Sequence, residues 1–407
     1  VLSKAIAWRR DLHQNPELGN REFRTAKVIA EQLGALGLEV KTGVAHTGVV
    51  GLVRGGRPGR VVALRSDMDA LPVTEEVDLP FASKARAEWA GRETGVMHAC
   101  GHDMHMAILM ATGEVLAGMR ERLPGAVKLV FQPAEEGPPP GEQGGAEMMI
   151  AEGVLEGPKV EAVFGLHVFP FPVGTIVYKP EGLMAASDTV TIKVRGRQTH
   201  GAMPWAGVDP IEAAAQVVLG LQTVVSRQSD LTTGPAIVTI GSIQGGNRSN
   251  IIPDEVSMTG TIRTFDPGMR KEILERVKRT AESIAQSAGG RAEVAFGEGS
   301  PVTFNDPRLT EWAGASLRRV APAGRLIPNG RATTTAEDFS RYQEKVPGVF
   351  FFLGVTPDGR DPATVAANHS PRFFADEGAL LTGIRALSSL AVDYLAGGPP
   401  APALTRE

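Results

Sequence analysis

Two patterns of apolar and polar positions run along this chain, and they occupy different parts of it. Mainly apolar runs at 60–65, 127–131, 162–166 and 349–353 predict strands buried on both faces. Around them, apolar positions recur with helical spacing at 3–14, 21–36, 103–122, 309–320, 337–345 and 376–394. Asn20 is placed to cap the second helix and Gly37 to end it. Short β-type runs broken by glycine lie between Val40 and Val53. Buried strands alternating with helices predict an α/β domain.

From about Ser187 the pattern changes to strict alternation, as in a half-buried strand over 188–195. A helix follows with Asp209 as N-cap and Pro210 in its first position. Strands at 236–243 and 255–264 come next, then a helix from Asp266-Pro267 to Gly289 and a strand at 292–296. The order β-α-β-β-α-β predicts a four-stranded antiparallel sheet with two helices on one face. The expected architecture is an α/β domain with a mixed sheet, in two segments (1–183 and 298–407), interrupted by an inserted α+β lid and dimerisation domain at 184–297. The proline- and alanine-rich tail beyond Gly397 is expected to be disordered.

Bulk properties narrow the function classes. With 42% apolar and 22% charged residues the composition is that of a soluble globular protein, and 407 residues suit two domains. A net charge of −4 supplies no basic field for nucleic acid or an anionic membrane. No run reads as long enough to span a bilayer. The default expectation is a cytoplasmic protein, or a periplasmic or secreted one if a leader has been removed ahead of Val1. One cysteine precludes an internal disulfide.

Chemistry concentrates in His98-Ala99-Cys100-Gly101-His102-Asp103-Met104-His105, which holds the only cysteine and three of the eight histidines. A lone buried cysteine is usually a small hydrophobe, but a core segment would not gather so many imidazole and thiol donors. That donor set suits a divalent transition metal. Three predicted strands also lead into potential ligands or bases: Asp67 and Asp69, then Glu135 and Glu136, then His167. Strand ends are where open α/β sheets place their ligands. Taken singly, the aspartates could be turn formers and the glutamates a solvated acidic turn; their recurrence at strand ends points to a site. His13 and His46 read as structural.

These motifs carry a resemblance. Trp8–His13, Asp67–Pro72, His98–His105, Gln132–Gly137, Gly165–His167, Glu337–Phe339 and Asn368–Pro371 resemble the dinuclear-metal amidohydrolase family of aminoacylases and carboxypeptidase G. His200–Pro204, Asn250–Pro253 and Gly260–Arg263 add to the match. The resemblance is narrowest to the branch of hippurate hydrolase, N-acetyldiaminopimelate deacetylase and plant indole-acetyl-amino-acid hydrolases. It implies two divalent ions per chain (zinc, manganese, cobalt or nickel) held by Cys100, His102, Glu136, His167 and His369, with Cys100 bridging. It further implies Glu135 as general base, Asp69 as an orienting residue, and His200 and Asn250 as substrate contacts. His200 would hydrogen-bond the developing oxyanion, and Arg263 would bind a substrate carboxylate. The proline-rich stretch 138–143, Trp205, and Thr334-Thr335-Ala336 depart from the family pattern and bear on substrate preference.

The expected function is metal-dependent cleavage of the amide bond of N-acyl amino acids or small peptides with a free carboxylate. A thiol hydrolase using Cys100 and His102 is a second reading, but it leaves Glu135, Glu136, His167 and His369 without a role. A metal-stabilised binding protein on a hydrolase fold is a third, and the intact glutamate pair argues against it. The expected partner is a second copy of the chain, paired through the inserted domain in a homodimer.

Overall fold

The computed structural model describes residues 1–297 and 299–399, which divide into two compact units. The first comprises Val1–Glu181, Phe304–Arg331 and the chain from Asp338; the second comprises Gly182–Thr303 and Ala332–Glu337. The second unit thus differs from the expected span of 184–297 by taking in a later segment. Backbone pairing accounts for it: the Thr333 N–H donates to the Leu183 carbonyl at 3.0 Å, and the Ala185 N–H to Thr335 at 3.0 Å.

In the first unit an eight-stranded mixed sheet runs in the order Glu39–Val44, Gly48–Arg54, Pro124–Gln132, Arg57–Asp67, Ala162–Pro172, Gly348–Thr356, Ile176–Tyr178, Leu326–Pro328. Its central strands, from Pro124–Gln132 to Gly348–Thr356, are parallel neighbours, so their C-terminal ends share one edge of the sheet. Those strands read as mainly apolar runs because both faces are covered. Val62, Leu64, Leu129, Phe131, Phe164, Leu166, Phe351 and Leu353 point into one core with the helices Leu2–Gln14, His102–Gly118, Pro307–Val320 and Leu380–Gly397. On the other face Phe350 packs on Phe339, with ring centroids 4.7 Å apart. The strands Ile176–Tyr178 and Leu326–Pro328 and the helix Gly145–Ala151 were not legible in sequence, because each is too short to show a period.

Several expectations change. Asn20 does not cap the second helix: Phe23–Ala35 has Glu22 at its N-cap, and Asn20 sits in a left-handed conformation (φ 59°) with its amide on Glu142 and the Gln143 carbonyl. The helix expected over 103–122 ends at Gly118, and Arg120–Arg122 forms a separate 3-10 turn. Only Ser340–Gln343 is helical within 337–345. His167 lies inside its strand, not at the end, because the strand continues to Pro172. The segment Glu377–Gly397 is long and apolar enough to cross a membrane by composition, contrary to the sequence reading, but 61% of its most apolar window is buried in this unit. Residues 400–407, most of the tail expected to be disordered, lie outside the described residues.

The second unit has the four-stranded antiparallel sheet in the order Ala236–Gly245, Glu255–Thr264, Ala186–Arg195, Arg291–Phe296. Alternation puts Val190, Ile192, Val194, Val256, Met258 and Ile262 against the helices Pro210–Gln228 and Pro267–Ser287. Both helices start as expected. The Asp209 carboxylate accepts from the N–H groups of Ile211 and Glu212, and that of Asp266 from Met269.

A buried charge network ties the first helix to the helix that carries His102. Arg9 Nε and His13 Nδ1 each lie 2.9 Å from Asp103 Oδ2, and His13 Nε2 lies 3.1 Å from Glu75. The Arg9 guanidinium stacks over Phe81, which closes the network from outside. Burial alone would raise the Asp103 carboxyl, but Arg9 and His13 hold it well below its ordinary value. Burial works against a charged His13 too, yet Asp103 and Glu75 lift its pKa to about 8. Because the folded value exceeds the ordinary one, this stabilisation is full below pH 6.5 and disappears as pH rises through 8. Thermal melts of the wild-type protein and His13→Gln should therefore differ at pH 6, by on the order of 2 kcal/mol, and converge above pH 9. A gap that stayed constant across that range would assign His13 a packing role only.

Candidate metal centre

Gly101 makes the central turn possible. Its φ is 87°, and a Cβ there would sit 2.3 Å from Val168 Cγ2, so only glycine fits between Cys100 and the helix that opens at His102. The turn points Cys100 and His102 the same way, toward the edge where the parallel strands end. There the first unit gathers Cys100, His102, Glu135, Glu136, His167 and His369.

The imidazoles are oriented by main-chain carbonyls. His102 Nδ1 donates to the Asp69 carbonyl at 2.8 Å, so its Nε2 faces inward, buried and without a hydrogen-bond partner. His167 Nδ1 donates to the Val168 carbonyl at 2.7 Å, which turns its Nε2 to within 3.4 Å of Cys100 Sγ. His369 sits in a left-handed conformation (φ 71°), with its N–H on the Ala99 carbonyl. Its Nε2 is 3.2 Å from Cys100 Sγ and 3.0 Å from Glu136 Oε1. The Glu136 N–H in turn donates to Asp69 Oδ2 at 2.9 Å. Asp69 therefore fixes His102 through its carbonyl and Glu136 through its carboxylate. Glu135 Oε2 lies 3.9 Å from His102 Nε2.

These donors suit metal ions. Cys100, His102 and His167 form one group, and Cys100, Glu136 and His369 another, with the ligating atoms of each within 4.8 Å of one another. Thiolate and imidazole bind zinc-like ions at about 2.0–2.3 Å, so donors 3–4 Å apart, as Cys100 is from His167 and His369, stand at the separation such ligation needs. Cys100 belongs to both groups. The local field also asks for positive charge: burial would depress His102, but Asp67, Asp69 and Glu136 lift it to about 10. Burial, reinforced by His105, holds His167 well below its ordinary value, which keeps the ring neutral and able to ligate. Burial pushes the Cys100 thiol well up, and Glu136 and Glu135 add to that.

Sequence reasoning offered Asp67 as a potential ligand or base and assigned His105 no separate role. His105 Nδ1 donates to Asp67 Oδ1 at 2.6 Å, and its Nε2 accepts the Val168 N–H at 2.8 Å. Both nitrogens are occupied, so His105 braces the strand beside His167. Arg65, buried like Asp67, donates to Asp67, Gln132 and Asp338. The repeated polar residues inside otherwise apolar strand ends were the available signal. His13 and His46 stand apart from the donor groups, the latter on the Gln143 carbonyl. His98 is fully buried, with both ring nitrogens unpartnered and its pKa lowered to about 3, first by burial.

The other expected residues lie in the second unit. Thr199–His200 pairs with Ile251–Ile252, and the Gly201 N–H donates to the Asn250 carbonyl at 2.8 Å, so His200 and Asn250 are brought together. Arg263 sits on a different sheet, and its guanidinium donates to Thr261 Oγ1 at 2.6 Å.

Residues 63–393 match the profile of peptidase family M20/M25/M40. The chain belongs to this family. It is 39% identical over 392 residues to thermostable carboxypeptidase 2 of Saccharolobus solfataricus, covering 96% of this chain and 95% of that one. It is 38% identical over 395 residues to the N-acetylcysteine deacetylase of Bacillus subtilis, covering 97% of each. Among solved structures, the Bacillus subtilis YXEP protein, a dinuclear metal binding peptidase from the M20 family, superposes with a TM-score of 0.81 at 36% identity, over 97% of this chain and 98% of that one. The resemblance seen in the motifs, and the mixed α/β fold expected from it, are those of this family.

The bracing role of His105 has a measurable consequence. His105→Ala removes the partner of Asp67 Oδ1 and of the Val168 N–H, while Arg65 still holds Asp67 Oδ2, and should cost on the order of 2–4 kcal/mol in unfolding of the metal-free protein. Elemental analysis of the variant should find metal at the wild-type stoichiometry; a loss of one ion per chain would make His105 a ligand.

Proposed function

We propose that the chain is a metal-dependent amidohydrolase acting on N-acyl amino acids or small peptides with a free carboxylate. The observation that carries this is the placing of the glutamate pair: Glu136 meets His369 and groups with Cys100, and both carboxylates stand near the open nitrogen of His102, Glu135 at 3.9 Å and Glu136 at 4.0 Å, which suits one ligand and one base. Cys100, His102, Glu136, His167 and His369 would hold two divalent ions, Cys100 belonging to both donor groups; zinc, manganese, cobalt and nickel all suit the set. When bound, the ions supply Lewis acidity toward the acyl carbonyl and toward a water. Glu135 takes the proton from that water and returns it to the leaving nitrogen. Asp69 keeps His102 and Glu136 in register. His200 hydrogen-bonds the oxyanion, and Asn250 and Arg263 bind the rest of the substrate, the latter through its carboxylate.

A thiol mechanism fits poorly. A nucleophilic cysteine needs a depressed pKa and access, and Cys100 is buried with its thiol pushed up. Glu135→Gln should keep both ions and lose nearly all turnover, while Glu136→Gln and Cys100→Ser should lose metal. Equal metal loss in Glu135→Gln and Glu136→Gln would refute the division.

The second unit supports a homodimer. Its edge strand Ala236–Gly245 exposes Ile237 and Ile243, and the neighbouring helix exposes Leu219. The opposite edge, Arg291–Phe296, carries charge instead, which discourages pairing. Pairing of two copies through the apolar edge is an isologous contact, and in such a dimer His200 serves the partner's site. Glu135→Gln and His200→Ala, each nearly inactive, should regain activity on subunit exchange. A mixed dimer then has one intact site, so about a quarter of all sites recover. No recovery after confirmed exchange would place His200 within its own chain's chemistry or outside it.

A further inference from the structure

Four consecutive residues near the N-terminus grip the segment that carries the glutamate pair. A Cβ on Gly19 would lie 3.0 Å from the Gly137 carbonyl and 3.2 Å from Ala134 Cα, so the two backbones touch. Asn20 donates to Glu142 and to the Gln143 carbonyl, and Arg21 pairs with Glu142. Glu22 is fully buried; its Oε1 accepts the Ala134 N–H at 2.9 Å and its Oε2 the Thr47 hydroxyl at 2.6 Å. Ala134 itself is held at φ 50°, a left-handed conformation that a residue with a side chain adopts only under constraint. The next residue is Glu135.

We infer that Glu22 is a positioning residue for Glu135: its carboxylate pins the Ala134 N–H and thereby sets the backbone turn that aims the base. The argument rests on the proposed role of Glu135. Glu22 touches none of the donor groups, and Thr47 fixes its second oxygen, so the clamp has one geometry. Reach, not charge, does the holding, because a backbone N–H needs only an oxygen at the right distance. Glutamine preserves that reach: its carbonyl oxygen accepts from Ala134 and its amide donates to Thr47 Oγ1. Aspartate keeps the carboxyl group but falls short by one methylene and leaves the Ala134 N–H buried and unpaired.

The test compares Glu22→Gln, Glu22→Asp and Glu22→Ala with the wild-type protein and Glu135→Gln on one N-acetyl amino acid. Metal content and thermal melting of every variant are measured alongside. Glu22→Gln should keep kcat within a factor of about two, while Glu22→Asp should lower kcat about ten-fold or more with KM little changed and full metal content. The acid limb of its kcat/KM profile should shift, since the displaced base meets a different environment. If Glu22→Ala fails to fold, the Asp and Gln pair still decides the matter. Wild-type kcat in Glu22→Asp, or equal losses in Asp and Gln, would overturn the inference. So would metal loss in Glu22→Asp. An active Glu135→Gln control would instead overturn the role of Glu135 and leave the clamp a structural feature.

Discussion

An imidazole can present only the nitrogen that its other hydrogen bond leaves free. Both buried histidines of the donor groups are committed in this way, His102 by the Asp69 carbonyl and His167 by the Val168 carbonyl. Carbonyls accept and never donate, so the facing nitrogen must carry a proton, and in the neutral ring that can ligate a cation the opposite nitrogen is the bare one. Everything around the site serves those two bonds. The strand Arg57–Asp67 delivers Asp69, His105 and Asp67 brace the strand at Val168, and the Gly101 turn sets the helix that carries His102.

The supports continue outward as buried polar contacts. Arg65, Gln132 and Asp338 join two strand ends to the turn before the helix Ser340–Gln343, behind Asp67. Arg9, His13 and Asp103 fasten the first turn of the His102 helix to the N-terminal helix. Such charges are tolerable in the interior because each has a partner of opposite sign. Their cost is offset by placing the donor groups on rigid strand and helix ends.

Much of this was legible before any coordinates. The mainly apolar runs located the central strands, and Asp209-Pro210 and Asp266-Pro267 marked two helix starts as observed. The donor residues came from motif content, and the structure gathers those of the first unit. What escaped was set by tertiary contact. Asn20 looked like a helix cap because its local sequence favours one, but its amide is used by the chain around residue 143. Residues 332–337 join the second unit through backbone bonds to 183–185, which no side-chain pattern encodes. Asp67 and His105 were in view, but which of several acids and imidazoles brace and which ligate is a matter of angle, invisible in spacing.

The position of Cys100 in both donor groups has a thermodynamic reading. Its sulfur must lose a proton before it can hold a cation, and burial makes that proton hard to remove. A first cation in either group would bear that cost alone, and a second would find the thiolate already formed. Repulsion between two cations opposes this gain, but the negative field of Asp67, Asp69 and the glutamates absorbs part of it. Two cations that shared this sulfur would therefore be linked through one atom, and the release of its single proton would couple their occupancy to pH.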